Sequence, residues 1–298
     1  MSRTVSPSTG RRYGIRRVAS EWRLSRATVY RQRARARQEP RQVLKRGPKP
    51  KLSDAALLEQ IRAVLADSPF LAEGYRKAWA RLRNRDVKVG PKRVLRVMRE
   101  AGILAPTRAK RVLGPRNHDG KIVTERPNEM WGTDATCALT VEDGQVTVFV
   151  AIDHGSTDCV GIHAAKPGTR FEALEPLRQG IKEYVGAYGE NAAVGLSIRH
   201  DHGSQYTSDA FQNELRFLGA TSSPAFVRSP EGNGCIERFI RTLKEQLRWV
   251  RTFRNVEELR LALLEWRRVY NEHWLIERHG HLTPVQARAK LSALAAAA

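Results

Sequence analysis

Residues 130–153 read MWGTDATCALTVEDGQVTVFVAID, and residues 157–165 read TDCVGIHAA. Alternating apolar and small side chains rich in Val, Thr, Ile and Phe predict strands, and the Asp-Gly inside VEDGQ marks a reversal between the first two. Three strands in a meander follow from this pattern. Beyond them the sequence predicts an amphipathic helix over Phe171–Tyr188, a strand in AVGLSIRHD and a helix over Ser208–Leu218. A short strand near Ser222–Phe226 and helices over Ile236–Arg251 and Val256–Asn271 complete the pattern. Three strands, then alternating helix and strand, then helices, is an α/β layout around a mixed five-stranded sheet.

Upstream the pattern is all-α. Helical segments are predicted at Asp54–Ala66, Gly74–Arg83 and Pro91–Ala101, with Ser53 as an N-cap and Pro91 in a first turn. Nearer the start, Ile15, Val18, Ala19 and Trp22 recur at helical spacing. Leu24 then fills a turn and Ser25 caps a second helix, ATVYRQRARAR, giving a helix-turn-helix pattern. Its Arg26, Thr28, Tyr30 and Arg31 suit phosphate and base-edge contacts in a major groove. The later helices offer Arg76, Lys77, Lys92, Arg93 and Arg96 in the same way. EPRQVLKRGPKPKLS (39–53), with three prolines and five basic residues, reads as an extended linker.

The net charge is +21 over 298 residues. Met1–Pro127 holds 33 Lys and Arg against 10 Asp and Glu, whereas Asn128–Ala298 holds 19 against 21. A basic front half attached to a nearly neutral back half predicts a nucleic-acid-binding region joined to something else. No apolar run approaches the ~18 residues a membrane span needs. The opening MSRTVSPSTGRRYG lacks a secretory apolar stretch. Cys137, Cys159 and Cys235 suggest neither a disulfide framework nor a zinc clip. The expected setting is the cytoplasm, on the bacterial nucleoid, with no membrane partner and no small-molecule substrate.

Three carboxylates stand out. Asp134 interrupts an otherwise apolar or small strand. Asp201 lies just past the end of GLSIRH, where α/β sheets present ligands. Glu237 opens a helix after a Gly-Asn-Gly turn. His200 and His202 flank Asp201 without the partners a zinc site needs, and Trp131 and Trp249 are assigned to packing.

WGTDAT (131–136), HDHGSQYTS (200–208) and GNGCIERFIRTLKEQ (232–246) resemble the three acidic motifs of the DDE transposase and retroviral-integrase superfamily. Asp201 and Glu237 are separated by 35 residues, the spacing of integrases and of bacterial transposases of the insertion-sequence-three type. YNEHWLIERHGHLTP (270–284) resembles that family's closing motif. GYRKAWARLRNR and KRVLRVMREAGI resemble the helical domain that precedes its core. The resemblance covers Ser53 to Ala287. Nothing has the His-His-Cys-Cys spacing with which retroviral integrases begin, which favours the bacterial branch.

The resemblance implies a multidomain chain: helix-turn-helix regions, then an α/β ribonuclease H-like core. The expected parts are a helix-turn-helix-like segment (1–38), a basic linker (39–53) and a helical DNA-binding domain (54–105). A second basic linker (106–127), the catalytic core (128–275) and a C-terminal tail (276–298) follow. Asp134, Asp201 and Glu237 are the implied catalytic residues and ligands of two Mg²⁺ ions, with Mn²⁺ as a substitute. Magnesium prefers oxygen ligands, and two metals stabilise an in-line displacement at phosphorus. Lys244, seven residues after Glu237, matches a basic residue of the family, and with Arg241 it is expected on DNA. Gly203, Ser204, Gln205 and Tyr206 are expected to shape the DNA-end site, and Asn233 to fix the turn before Glu237. The implied substrate is double-stranded DNA, both element ends and target, held by a homo-oligomer. Two rival readings share these residues: a DNA-binding repressor with an inactive core, and a ribonuclease H-like nuclease that cuts without joining.

Overall fold

The computed structural model describes residues 4–37, 51–106, 124–225 and 234–297. The expected meander is present as β1 (Met130–Thr140), β2 (Gly144–Asp153) and β3 (Cys159–Ala165), each antiparallel to the next. Gly144, at φ 69°, supplies the left-handed residue that the β1–β2 reversal requires. β4 (Ser197–His200) and β5 (Thr221–Pro224) continue the sheet in parallel, giving the order β3-β2-β1-β4-β5. This is the mixed five-stranded sheet that the sequence predicts. The two short strands are smaller than the sequence pattern predicts. Gly195 (φ 90°) breaks AVGLSIRHD before Ser197, and Phe226 lies outside the described residues.

Helices cover both faces. On one side α6 (Glu175–Tyr184) and α8 (Asp209–Phe217) bury Leu177, Ile181, Phe211 and Leu215 against Trp131, Phe149 and Val160. A four-residue turn, α7 (Ser204–Thr207), precedes α8. On the other side α9 (Gly234–Leu243) and α10 (Val256–His273) bury Ile236, Phe239, Leu259 and Leu263 against Val146, Val148 and Val150. Two helices differ from expectation. The segment at 171–188 begins as a 3-10 turn, Glu172–Leu174, and α6 ends at Tyr184. After Leu243 the chain widens into one π-helical stretch, Lys244–Arg248, so the predicted Ile236–Arg251 is not one continuous α-helix. A π-bulge inside a helix is frequent at functional sites.

The segment expected as a tail, 276–298, contains α11 (Pro284–Ala297). Thr283 and Gln286 form a reciprocal capping box, the Thr283 N–H donating to Oε1 at 3.0 Å and the Gln286 N–H to Oγ1 at 3.4 Å. Arg288 of α11 reaches back to the buried Asp158 at 2.9 Å and to Asn128 at 3.0 Å. That segment therefore packs against the sheet unit through Arg288.

Ahead of the sheet, α3 (Asp54–Ala66), α4 (Tyr75–Asn84) and α5 (Pro91–Glu100) pack around Leu57, Ile61, Leu82, Val94 and Met98. Ser53 accepts the Ala56 N–H at 3.1 Å, as the cap reading expects, and Pro91 occupies the first turn of α5. These helices and the sheet belong to one compact unit, Leu52–Ala298.

Met1–Lys51 is a separate unit. It contains α1 (Ile15–Glu21) and α2 (Arg26–Arg37), with Ser25 Oγ accepting the Thr28 N–H at 3.1 Å. Of the four residues expected on one apolar face, Ala19 is buried but Trp22 is 58% exposed. Trp22 is the C-cap of α1, and the chain reverses at Arg23 (φ 51°), which turns its ring away from the stripe. The linker core at 39–50 lies outside the described residues.

Candidate active site

Side chains alternate across a strand, so one β1 face carries Trp131, Thr133 and Ala135 and the other carries Asp134, Thr136 and Ala138. Trp131 and Ala135 pack with the α6 and α8 cluster, and Ala138 with the α9 cluster. Asp134 therefore faces α9. The parallel pairing of Gly132 with Arg199 sets the register between β1 and β4. Continued two residues, it brings Asp134 level with Asp201, and adjacent strands run about 4.8 Å apart. Glu237 arrives from the first turn of α9, where the helix dipole favours a carboxylate.

The Asp134 carboxylate is half-buried and accepts the Ala135 N–H at 2.8 Å. Burial and the negative fields of Asp201 and Glu237 push its carboxyl up to about 6, while the Ala135 N–H and Lys244 act to lower it. Three acids from β1, the β4 end and α9 thus share one electrostatic site with Lys244. Among the described residues, no group of three or more His, Cys, Asp or Glu side chains lies close enough to hold a metal ion. The acids are coupled through their fields without forming a closed coordination cage. The donor chemistry suits a hard divalent cation, because all three groups are carboxylates and mutual repulsion raises the cost of keeping them charged together.

The loop after β4 holds Asp201 in place. The Gly203 N–H donates to Asp201 Oδ1 at 2.8 Å, and a Cβ on Gly203 would lie 2.9 Å from that oxygen. Tyr206 is buried, stacked 5.7 Å from His200, and its ionisation is opposed by burial, with Asp134 and Asp201 adding to the effect. The His200 ring contacts the Asp201 carbonyl at 2.6 Å and Ser222 Oγ at 2.9 Å, and His202 contacts the Ala225 carbonyl at 2.8 Å. These contacts give the histidines a positioning task. Asn233 lies outside the described residues.

The expected DNA contacts divide. Arg26, Tyr30, Arg31, Lys92 and Arg241 are exposed, Lys244 is half-buried, and Thr28 is half-buried with its hydroxyl 2.8 Å from Ser25 Oγ. Arg76 pairs with Glu277 at 3.2 Å while staying exposed. Arg93 and Arg96 converge on Asp54 at 2.7 and 2.6 Å, which ties α5 to α3. Lys77 is a correction. It lies against the Trp274 ring and 3.7 Å from the buried Glu73, so it packs between helices and does not face a groove. Trp249 is a second correction, being 69% exposed where packing was expected, because the chain leaves the π-helical stretch at that residue. Trp131 is fully buried as expected.

The closing motif has a structural task that local periodicity does not reveal. Asn271 donates to the Cys159 carbonyl at 3.0 Å and accepts its N–H at 2.8 Å. Tyr270 donates to the Thr157 carbonyl at 3.3 Å, and Arg278 to the carbonyls of His154 and Gly155. Together they clamp the β2–β3 turn. Arg248 was also missed, although Glu237, Lys244 and Arg248 stand at i, i+7 and i+11, a same-face spacing.

Residues 51–111 match the family described as HTH-like domain, while residues 124–230 and 218–284 match two families described as Integrase core domain. The integrase-core matches together span more than half the chain. The helix-turn-helix-like match thus falls on α3–α5 rather than on the N-terminal pair. The transposase for insertion sequence element IS629 of Shigella sonnei is 27% identical over 92% of this chain and 91% of its own length. The transposase InsD for insertion element IS2 of Escherichia coli is 26% identical, covering 64% of each chain. Among solved structures, the simian T-cell lymphotropic virus intasome has a chain 19% identical, covering 79% of this chain and 74% of its own, with a TM-score of 0.45.

Proposed function

The chain belongs to the DDE transposase and retroviral-integrase superfamily as a bacterial insertion-sequence transposase, and from that premise we propose that Asp134, Asp201 and Glu237 are its catalytic carboxylates. The observation that carries the assignment is the convergence of the three acids, Asp134 level with Asp201 across the β1–β4 pairing and Glu237 in the first turn of α9, with burial and the other two acids raising the Asp134 carboxyl. Such a perturbed group in a shared site is a mark of function.

The three carboxylates are the candidate ligands for two Mg²⁺ ions, with Mn²⁺ as a substitute. When bound, the ions supply Lewis-acid stabilisation to the attacking and leaving oxygens of an in-line displacement at phosphorus. The chain's own groups orient and select. The Ala135 N–H holds Asp134, the Gly203 N–H holds Asp201, and Lys244 lies ready to neutralise a DNA phosphate. The first reaction hydrolyses a phosphodiester at the element's end and leaves a 3′-OH. In the second, that hydroxyl attacks another phosphodiester, its proton leaves, and the displaced 3′-oxygen departs as the strands join. Neither step needs a covalent enzyme intermediate.

In this reading residues 54–105 engage DNA, residues 1–38 add a second basic contact, and residues 128–275 perform the chemistry. Two ends must be paired, so the working form is a homo-oligomer on DNA. The test is a gel assay of the purified chain with Mg²⁺ and labelled DNA from the gene's flanks, beside Asp201→Asn. Metal-dependent nicks and joined products, absent with the variant, are expected. Nicks without joining would leave a nuclease. Binding without cleavage in Mg²⁺ or Mn²⁺ would leave a repressor.

A further inference from the structure

Arg248 ends the π-helical stretch that begins at Lys244. Its side chain returns to the sheet and donates to Thr136 Oγ1 at 3.4 Å. Thr136 stands on the same β1 face as Asp134, two residues and about 7 Å further along the strand. The guanidinium therefore lies on the β1 face that carries Asp134, at the position two residues along the strand. Burial lowers its pKa, and among the described residues no carboxylate pairs with it. The arginines around it are arranged differently: Arg251 is paired with Glu258 at 2.8 Å and Arg254 with Glu142 at 2.5 Å.

A partly desolvated cation without an anion is costly to the folded chain, and an incoming anion relieves that cost. A guanidinium also presents a planar fork that matches two phosphate oxygens. We propose that Arg248 binds a phosphate of the substrate DNA strand next to the one cleaved, fixing the strand's register across Asp134. The identity of that strand as an element end rests on the transposase reading. The cationic site itself rests on the geometry of Arg248, Thr136 and Asp134.

The test reads binding without relying on cleavage. Fluorescence anisotropy of the full-length chain on labelled duplexes from the gene's flanks is compared with Arg248→Gln and Arg248→Lys. Arg248→Gln is expected to weaken binding roughly tenfold and to reduce the slope of log K against log salt by about one. Arg248→Lys keeps the charge and most of the salt slope. Single methylphosphonate substitutions along the strand add a readout that a merely structural role would not move. One position beside the cut is expected to weaken the wild type and leave Arg248→Gln unchanged. The Arg248→Gln thermal midpoint should not fall, because the variant removes an unpaired, desolvated charge. An unchanged salt slope, or the same methylphosphonate profile in both proteins, would overturn the proposal. If wild type binds through Arg248 but cuts nothing in Mg²⁺ or Mn²⁺, the catalytic reading fails and the phosphate site stands.

Discussion

His154 shows how burial of one ring sets a response to pH. Its imidazole is buried, its Nε2 has no hydrogen-bond partner among the described residues, and burial with the nearby Arg199 and Arg278 lowers its pKa to about 4. In the unfolded chain the group titrates near 6.5, so between these values only the unfolded form takes the proton. Stability from this residue is therefore fully present above pH 6.5 and falls as pH drops toward 4. The loss is on the order of 2–3 kcal/mol. Asp134 and Asp158, both raised by burial, act with the opposite sign in the acid range, so total stability does not isolate His154. The difference between wild type and His154→Gln does. Urea unfolding at pH 7 and pH 4.5 should show the gap between the two proteins shifting in the variant's favour on acidification. A constant gap would mean that the ring protonates freely in the folded protein. At the active site the residue-scale expectation is plainer: Asp134→Asn should lower cleavage by several orders of magnitude, read in the same gel assay, while DNA binding by the helical domain persists.

Helix α6 can lie flat on β3 only because two positions lack a side chain. A Cβ on Gly161 would come within 2.0 Å of the Pro176 carbonyl oxygen, and one on Gly180 within 2.8 Å of the Trp131 ring. The clash at Gly161 is with backbone, which cannot swing aside. Gly161→Ala should cost about 3 kcal/mol, the upper part of the range for overpacking, measured by denaturant unfolding. A loss below 0.5 kcal/mol would show that α6 shifts at little cost. This close approach was not legible in the sequence, because nothing local in TDCVGIHAA announces a helix lying across it. The three-strand meander was legible, since each strand alternates cleanly and the turn is signalled by Asp-Gly. The same contrast divides the candidate site. Asp134, Asp201 and Glu237 could be picked out by motif and spacing, and Lys244 by its place seven residues on. The clamp of Asn271 on Cys159 could not, because it joins residues 112 apart through buried hydrogen bonds that leave no periodic trace. Nor could the π-helical stretch, which has no residue signature comparable to a cap or a turn.

At the scale of the whole molecule, charge and packing follow different boundaries. Residues 1–51 carry +14 of the +21 net charge and form their own unit, whereas the equally helical α3–α5 region is packed with the five-stranded sheet. The sequence, read by composition, places both helical regions together in the basic half. What separates them is a set of contacts made by residues far apart in the chain. Phe70 is buried and meets Trp274 edge-on at 4.8 Å, and Lys77 lies over the same ring. Glu73 accepts Arg81 at 2.5 and 3.0 Å, and Arg81 reaches the His273 carbonyl at 3.3 Å. Gln246 bonds both backbone groups of Leu71, at 2.8 and 3.1 Å, from within the π-helical stretch. Trp274 is the common partner in this junction, touching an apolar side chain and a cation from the helical domain. Trp274→Ala should therefore do more than remove a half-buried ring worth about 2–3 kcal/mol. It should uncouple α3–α5 from the sheet, which scanning calorimetry of the full-length chain can read. The wild type is expected to unfold the α3–α5 region and the sheet in one transition. The variant should show them separating, with the helical region melting first because its core is the smaller. A single transition merely shifted downward would mean that the Gln246 and Arg81 contacts suffice to keep the DNA-reading helices and the carboxylate site in one cooperative body.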